Sequence, residues 1–409
     1  MSLLPFPERG NVDSFYQCDD IYDFLGEGTF ASVYKAVCIC DGEKVKTGQP
    51  VALKMINKRD LTTEKMLRDV INEVEVLRLV DHPNCVKLLD YFQTPFHVVI
   101  VMSFVPGKEL FQALREAVFT EEKVKEVMLQ LLSALQYLHD SIRVVHRDIK
   151  PENVLMSPLD DGNYHVTLVD FGLARVLARH ESRRRLGANR STFSSPMQRL
   201  APYPPAKSAS VDSLDHLDSP FLATPCGTLK YAAPETIKSL HQKGQLNTTR
   251  DLLPRVDIYA TGVLMYVMLC GALPFRDLSN KVALFREMEA GPSFADARWE
   301  QISRPAVALN QALLSSDPNT RPRAGEALRY EWFTGDTSLF NGSSTECMKV
   351  DEILGERAYV VKAFSAMQPP ESDLFTKLEN DDGAGPQIAS RCFNVPFTPG
   401  DSRKTNVYF

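Results

Sequence analysis

The first hundred residues carry short apolar runs of β character, separated by turns. Two β-rich runs flank the glycine-containing turn from Gly26 to Gly28, and Val51 to Ile56 has the pattern of an apolar strand. Leu61 to Val80 instead has apolar residues at helical spacing. Strand-like runs return at Val86 to Phe92 and Val98 to Phe104. This order predicts a small antiparallel sheet that carries one helix.

The next part of the chain has a helical pattern, which begins after the turn at Pro106-Gly107. Thr120 is placed to cap a helix that runs to Leu138, and Glu121 and Glu122 suit its first turn because the helix dipole is positive there. Later helices are predicted at Asp257 to Cys270, Lys281 to Glu289 and Gly325 to Trp332. The pattern therefore predicts an α+β protein, with a β-rich lobe joined by a short hinge to a helical lobe.

Two stretches depart from this globular pattern. Arg175 to Leu222 is rich in Arg, Ser and Pro and cannot bury enough apolar surface to order by itself. The tail after Thr334 contains one candidate amphipathic helix, from Cys347 to Met367. We therefore divide the chain into an N-terminal extension (1–18), an N-lobe (19–103), a C-lobe (104–333) with a disordered insertion at about 176–222, and a C-terminal tail (334–409).

Composition narrows the class of protein. Of the 409 residues, 44% are hydrophobic and 24% are charged, as in ordinary soluble proteins, and the net charge of -6 argues against nucleic acid as a partner. No apolar run reaches the roughly 18 residues that a membrane span needs, and Ser2 stands where N-myristoylation needs Gly. The eight cysteines form no CxxC pair, which favours a reduced compartment. We expect a cytoplasmic protein, with a nuclear location also open.

Three features of the first lobe suit a bound phosphate. The run from Gly26 to Val33 nearly matches a hairpin whose backbone N–H groups approach phosphates, although Ala31 replaces its third Gly. Lys54, on the following strand, supplies an ammonium, and Glu73 on the next helix is placed to orient it. A structural turn and a surface ion pair are the alternative readings of these features.

The most specific run extends from His146 to Leu155 (His-Arg-Asp-Ile-Lys-Pro-Glu-Asn-Val-Leu) and is followed by Asp170-Phe171-Gly172. With these two motifs the chain resembles the eukaryotic protein kinases. The resemblance continues through Cys226 to Glu235, Asp257 and Arg321, and covers about Asp19 to Phe333. It implies a bilobal kinase fold and the transfer of the γ-phosphate of ATP to Ser or Thr hydroxyls.

The resemblance also implies a role for each polar residue of these motifs. Asp148 would accept the proton of the substrate hydroxyl, and Lys150 would contact the γ-phosphate, as in kinases specific for Ser and Thr. Asn153 and Asp170 would coordinate Mg²⁺ through hard oxygen atoms. Glu235 and Arg321 would form a buried ion pair. The implied ATP contacts are Gly26, Gly28, Val33, Ala52, Lys54, Glu73, Met102 and Leu155.

Within the kinases the chain looks most like the calcium/calmodulin-dependent group, from Leu264 to Phe275 and from His82 to Leu88. By resemblance, Glu109, Glu152 and Thr228 would contact a protein substrate, and the two acids would receive an Arg upstream of the target residue. Their alternative reading is as ordinary surface carboxylates. Val267 replaces a third acid found in some relatives, so a demand for two adjacent Arg residues is not expected.

Regulation is indicated by Arg147, directly before Asp148, and by Thr224, three residues before Gly227. A phosphate placed on Thr224 by an upstream kinase could bind Arg147 and set the geometry of the segment. The candidate tail helix mixes acidic and basic residues, whereas a calmodulin target is usually a basic amphipathic helix, so no strong calmodulin site is expected.

Two rival functions remain open from the sequence. A catalytically silent pseudokinase would keep the fold as a scaffold, but it need not retain the polar set Lys54, Glu73, Asp148, Asn153 and Asp170. A small-molecule phosphotransferase would share the phosphate chemistry without needing the platform from Gly227 to Glu235, which in the family supports a peptide.

Overall fold

The fold is described from a computed structural model, which covers residues 4–18, 23–28, 31–116, 119–177, 228–241, 252–275 and 281–335. Most of the predicted insertion (about 176–222) lies outside these residues, as do Thr224 and the candidate tail helix. Among the described helices none is long and apolar enough to cross a bilayer. No disulfide joins the cysteines of the described part of the chain.

The small lobe is a curled antiparallel sheet with one helix packed on it. Its strands follow one another along the chain as β1 (Tyr16–Gln17), β2 (Phe24–Glu27), β3 (Ala31–Cys38), β4 (Pro50–Asn57), β5 (Leu88–Gln93) and β6 (His97–Ser103). The spatial order is β1-β3-β4-β6-β5, and β2 pairs with β3. Helix α1 (Glu64–Leu79) starts later than the predicted Leu61, because the Thr63 hydroxyl caps it by accepting a hydrogen bond from the Met66 N–H at 3.2 Å.

The N-terminal segment, residues 4–18, is part of this lobe. Its strand β1 pairs with β3, and farther back Arg9 and Pro7 exchange backbone hydrogen bonds of 2.8 Å with Gln93 at the other edge of the sheet. Between these edges the segment buries four large apolar side chains, Leu4, Phe6, Val12 and Tyr16. The segment therefore makes backbone hydrogen bonds at both ends of the strand order, as β1 beside β3 and through Pro7 and Arg9 beside β5.

The large lobe is mainly helical, and a few short strands near its upper surface carry the catalytic motifs. Its strands are β7 (Lys108–Glu109), β8 (Val144–Val145), β9 (Val154–Pro158), β10 (Tyr164–Leu168) and β11 (Arg175–Val176). Its helices are α2 (Leu110–Glu116), α3 (Glu121–Gln136), α4 (Pro234–His241), α5 (Arg255–Cys270), α6 (Lys281–Ala290), α7 (Arg304–Leu313), α8 (Ala324–Ala327) and α9 (Glu331–Thr334). Helix α5 is buried on nearly every side, which explains its almost uniformly apolar sequence.

Two predicted helices differ in detail from the structure. Thr120 caps α3 as expected, but the α-helix ends at Gln136 and continues as a π-helical turn, Tyr137–Ser141. The helix predicted from Gly325 to Trp332 is instead two short helices, because the backbone of Tyr330 is extended (ψ 149°) and interrupts the hydrogen-bond ladder. The predicted bilobal α+β architecture is confirmed.

Candidate active site

The first part of the site is a buried network of opposite charges on β4, α1 and the Asp170 loop. The Lys54 Nζ lies 2.6 Å from Glu73 Oε1 and 3.0 Å from Asp170 Oδ1. Burial alone would lower the pKa of Lys54, but Asp170 and Glu73 outweigh it and hold that pKa above its ordinary value. The charge on Lys54 holds the pKa of Asp170 well below its usual range. The ammonium and the Asp170 carboxylate are thus both charged at neutral pH.

Above this network lies the hairpin formed by β2 and β3. The Gly28 N–H donates to the Ala31 carbonyl at 2.7 Å. A Cβ atom at Gly26 would meet no heavy atom within 4 Å, and the backbone there is not left-handed. Neither crowding nor backbone geometry within the described structure requires Gly at this position.

Four apolar positions predicted as ATP contacts lie on strands of the two lobes. Val33 pairs with Lys54 across β3 and β4, and Ala52 pairs with Met102 across β4 and β6. Leu155 lies opposite Thr167 on β9, in the large lobe. These partly or fully buried apolar side chains come from both lobes, as a flat aromatic ligand between the lobes would require.

The catalytic loop brings three predicted residues together around one carboxylate. The Asp148 Oδ2 accepts hydrogen bonds from the Lys150 ammonium at 2.8 Å and from the Asn153 amide at 2.9 Å. The same Asn153 amide donates to the Asp148 carbonyl at 2.8 Å. The other carboxylate oxygen, Asp148 Oδ1, is buried and has no hydrogen-bond partner among the described residues. The loop therefore holds Oδ2 in place, whereas Oδ1 has no partner among the described residues.

Asp257, at the start of α5, fixes the backbone of that loop from below. Its carboxylate accepts hydrogen bonds from the N–H groups of His146 (2.8 Å) and Arg147 (2.7 Å), and it lies 2.8 Å from the His139 Nε2. Burial alone would raise the pKa of Asp257, but these hydrogen bonds and nearby positive charge lower it overall. The support matters because Arg147 has a φ of 71°, a conformation that a non-glycine residue adopts only under constraint.

The Asp170 loop is held by its neighbours in a similar way. Asp170 itself has a φ of 59°. The Phe171 ring is fully buried, and its centroid lies 4.9 Å from that of His146. A Cβ atom at Gly172 would lie 3.3 Å from the Asp170 Oδ1, so glycine lets this carboxylate turn back toward Lys54. The loop is thus seated with Asp170 directed into the cleft between the lobes.

Asn153 and Asp170 offer the hard oxygen ligands that suit Mg²⁺. The Asn153 amide nitrogen is committed to Asp148, which leaves its amide oxygen for a cation, and the low pKa of Asp170 keeps that ligand ionised. The part of the chain that the structure describes has no group of three or more His, Cys, Asp or Glu residues that could hold a metal by itself. Mg²⁺ typically uses one or two protein ligands together with substrate phosphates.

The predicted substrate-contacting acids lie near each other below the cleft. Glu109 is on β7, and Glu152 is in the short 3-10 helix Pro151–Asn153. Burial raises the pKa of Glu109, and the charge of Glu152 raises it further, while Lys150 and Arg115 oppose the rise. Thr228 begins the 3-10 helix Thr228–Tyr231. The region therefore presents two adjacent acids beside the catalytic loop.

The expected ion pair between Glu235 and Arg321 is present and bidentate. The two guanidinium nitrogens of Arg321 donate to the Glu235 carboxylate at 2.8 and 3.1 Å. Arg321 also donates to the carbonyls of Arg255 and Ser315, and its guanidinium lies 4.8 Å from the centre of the Tyr259 ring. The side chain is 1% exposed, so every donor contact replaces water.

Sequence reasoning missed some residues that shape the site. The sequence motifs included Asp257 but gave no sign of its contacts with His139 and the loop backbone. Asp69 of the small lobe and Arg175 of the large lobe form an ion pair of 2.5 Å, although the two residues are 106 positions apart in the chain. Such pairs have no local signal, because only the fold brings them together. Thr224 cannot be placed, since it lies outside the described residues.

Known proteins share these motifs and this fold. The family profile described as protein kinase domain matches residues 20–333. Calcium/calmodulin-dependent protein kinase type 1B of Homo sapiens is 32% identical over 339 residues, which cover 82% of this chain and 80% of that protein. The serine/threonine-protein kinase srk1 of Schizosaccharomyces pombe is 31% identical over 76% of this chain and 51% of its own length.

A solved structure agrees with these relatives. The crystal structure of Rad53 1-466 in complex with AMP-PNP has a TM-score of 0.54 and 27% identity, and the match covers 79% of this chain and 66% of that one. The family profile spans both lobes and every polar group of the cleft described above, and the relatives are serine/threonine kinases. On this combined evidence, the chain belongs to the protein kinase family and is an ATP-dependent serine/threonine protein kinase similar to the calcium/calmodulin-dependent group.

Proposed function

We propose that Asp148 is the catalytic base of this kinase and that the transfer is to Ser or Thr side chains of proteins. The observation that carries the assignment is the buried Asp148 Oδ1, which has no partner among the described residues while Oδ2 is held by Lys150 and Asn153. A substrate hydroxyl would supply the hydrogen-bond donor that this oxygen lacks. A general base must lie within hydrogen-bond distance of the proton that it accepts.

The reaction requires little more of the protein than positioning and charge. The hydroxyl oxygen forms a bond to the γ-phosphorus of ATP, the bond from that phosphorus to the β-γ bridging oxygen breaks, and ADP leaves. Asp148 orients the hydroxyl and accepts its proton. Lys150 lies beside the same carboxylate, where its charge stabilises the phosphoryl oxygens, and Lys54 is oriented by Glu73 to hold the α- and β-phosphates.

Mg²⁺, when bound, neutralises the phosphate charge. Asn153 and Asp170 would hold it, through the amide oxygen and the ionised carboxylate described above. The adjacent acids Glu109 and Glu152 would receive a basic residue upstream of the target Ser or Thr. Burial and, after it, the charge of Glu152 raise the pKa of Glu109. A basic substrate side chain between the two carboxylates would offset their repulsion, which supports this assignment.

Activation by phosphorylation of Thr224 is part of this proposal. Its support is Arg147, a partly buried cation directly before the catalytic base and on the large-lobe side of the cleft. An upstream kinase would supply the phosphate. Calmodulin dependence is not proposed, because residues 347–367 mix acidic and basic side chains.

The pseudokinase alternative makes the opposite prediction about phosphate transfer. It would require the network of Lys54, Glu73 and Asp170 and the Asp148 cluster to serve stability alone. Both clusters place charged groups in a cleft, and in the second the buried Asp148 Oδ1 has no hydrogen-bond partner among the described residues, which a purely structural role does not explain.

The test measures γ-phosphate transfer from Mg-ATP to a peptide library with one fixed position at a time. Wild-type protein should label Ser and Thr peptides and favour Arg upstream, and Asp148→Asn should lower the rate of labelling by about 10²- to 10⁴-fold. Asp160→Asn, the same change at an exposed turn, is the matched control and should behave as wild type. Absence of labelling by wild type, even after treatment with an activating kinase that modifies Thr224, would favour the pseudokinase.

A further inference from the structure

Helix α1 is joined to the large lobe by two side chains that the proposed reaction does not use. The Asp69 Oδ1 accepts a hydrogen bond from the Arg175 guanidinium at 2.5 Å, and the Asn72 amide donates to the Ala174 carbonyl at 2.7 Å. Asp69, Asn72 and Glu73 are spaced i, i+3 and i+4, so they share one face of the helix. The residues that contact the large lobe are therefore on the same side as the partner of Lys54.

The residues that receive these contacts lead directly to the catalytic loop. Arg175 is on β11, where it pairs with Val145 of β8, and the Leu177 N–H donates to the Arg143 carbonyl at 2.7 Å. His146, Arg147 and Asp148 follow Val145 without interruption. A continuous path of short contacts thus runs from α1, through β11 and β8, to the catalytic base.

The charges along this path favour an acid on α1. Arg175 and Arg147 are like charges close enough to affect each other: burial and the charge of Arg175 lower the pKa of Arg147 to about 10, whereas Asp257 and Asp69 act in the opposite direction. Asp257 is committed to the backbone of the loop and to His139. Asp69 is then the acid that pairs with Arg175. Both side chains are partly buried, with exposures of 36% for Asp69 and 27% for Arg175.

We propose that Asp69 is a positioning residue that holds α1 against β11 and so keeps Glu73 paired with Lys54, a role that rests on the proposed kinase activity of the site. The hydrogen bond from the Asn72 amide to the Ala174 carbonyl helps to hold α1 in the same position. The tether consists of the ion pair between Asp69 and Arg175 and the hydrogen bond from the Asn72 amide to the Ala174 carbonyl. A helix that loses it is free to shift outward, which separates Glu73 from Lys54 and leaves the phosphate-binding ammonium without its orienting partner.

The expected effect of Asp69→Asn is a loss of kcat/KM for ATP of about tenfold, because apparent affinity falls in proportion to the fraction of enzyme in the competent state. The KM for the peptide should not change, since the tether does not face the peptide. Amide hydrogen exchange along α1 should become faster. Each variant is compared at a phosphorylation state matched by mass spectrometry.

Controls separate positioning from a loss of folded protein. Partial unfolding lowers the number of active sites and leaves the KM for ATP unchanged, so a rise in that KM identifies positioning. Asp69→Glu keeps the charge and should restore most of the activity. Glu64→Gln removes an acid from an exposed i,i+4 pair with Arg68 on the same helix, and it should match wild type.

A double-mutant cycle with Arg175→Gln tests the pair itself. If the two residues act as one contact, Asp69→Asn combined with Arg175→Gln should cost about as much as either change alone. Additive losses, or a normal KM for ATP and normal exchange along α1 in Asp69→Asn, would overturn the inference. That result would leave the proposed function intact, because failure of the latter shows as an absence of transfer by wild type.

Discussion

At the scale of single residues, the site is defined by which polar atoms have partners. Asp148 Oδ2 and Asn153 Nδ2 are held by the loop, while Asp148 Oδ1 is buried without a partner among the residues described. The identities of Lys54, Glu73, Asp148, Asn153 and Asp170 could be predicted from the sequence, because their spacing within short motifs is specific. Which oxygen of Asp148 is held and which is available follows only from the packed loop.

Glu109 gives a prediction about pH. Since burial and Glu152 raise its pKa, it becomes neutral at a higher pH than an ordinary glutamate and then no longer attracts a basic side chain. As the pH is lowered from about 7.5, the preference for an Arg peptide over its Ala counterpart, as the ratio of kcat/KM values, should begin to fall before the pH reaches the ordinary glutamate pKa of about 4.3. In Glu109→Gln the preference should already be low, and it should change less with pH. A wild-type preference that does not change over this range would contradict the assignment.

Gly26 gives a prediction about the hairpin. Because a Cβ atom at this position meets no protein atom, Gly26→Ala should leave the melting temperature unchanged and raise the KM for ATP several-fold. Gly48→Ala is a contrasting control: the φ of Gly48 is 84°, so that change should lower stability by about 1 kcal/mol and leave the KM for ATP alone. A lower melting temperature in Gly26→Ala would show that the glycine has a structural role.

At the scale of elements, local signals predicted most helices and strands but not their long-range partners. Thr120 marked the start of α3, and the apolar run from Val51 to Ile56 lies within β4. The N-terminal residues gave no such signal, because β1 has only two residues and the rest of the segment is held by the side chain and backbone of Gln93. The pairing of a short segment with a distant strand depends on the finished sheet.

The N-terminal segment should stabilise the small lobe. Phe6 is 8% exposed, and its ring meets the Tyr91 ring edge-on with 5.7 Å between centroids. Phe6→Ala should therefore lower the free energy of unfolding by about 3 kcal/mol, measured by urea denaturation. Phe96→Ala removes a ring that is 52% exposed and should have little effect. Equal stabilities of the two variants would show that the segment does not contribute to the core.

At the scale of the whole molecule, one apolar core runs through both lobes, a second lies within the small lobe, and charged groups make further contacts between the lobes. Lys54 and Asp170 join β4 to the loop after β10, and Asp69 and Arg175 join α1 to β11. The bilobal fold could be predicted because the hydrophobic pattern changes from mainly strand-like to mainly helical after the turn at Pro106-Gly107. The contacts between lobes could not, since they join residues more than 100 positions apart.

The large lobe depends on the ion pair between Glu235 and Arg321. Arg321→Met leaves the Glu235 carboxylate uncompensated and should reduce the free energy of unfolding by about 3–5 kcal/mol. Adding Glu235→Gln to that variant should recover part of the loss, because the unpaired charge is then removed. Arg323→Met, at an exposed position two residues along, is the matched control. A double variant no more stable than the single one would mean that Arg321 acts mainly through its carbonyl contacts.

The central claim is that Asp148 receives the proton during phosphate transfer, and rapid-quench kinetics under single-turnover conditions test it most directly. With ATP and peptide saturating, Asp148→Asn should slow transfer by about 10²- to 10⁴-fold relative to wild type and to Asp160→Asn. Its affinity for ATP, measured separately, should remain that of wild type, because Asp148 does not belong to the Lys54 network. A rate close to that of wild type would contradict the assignment of Asp148 as the base.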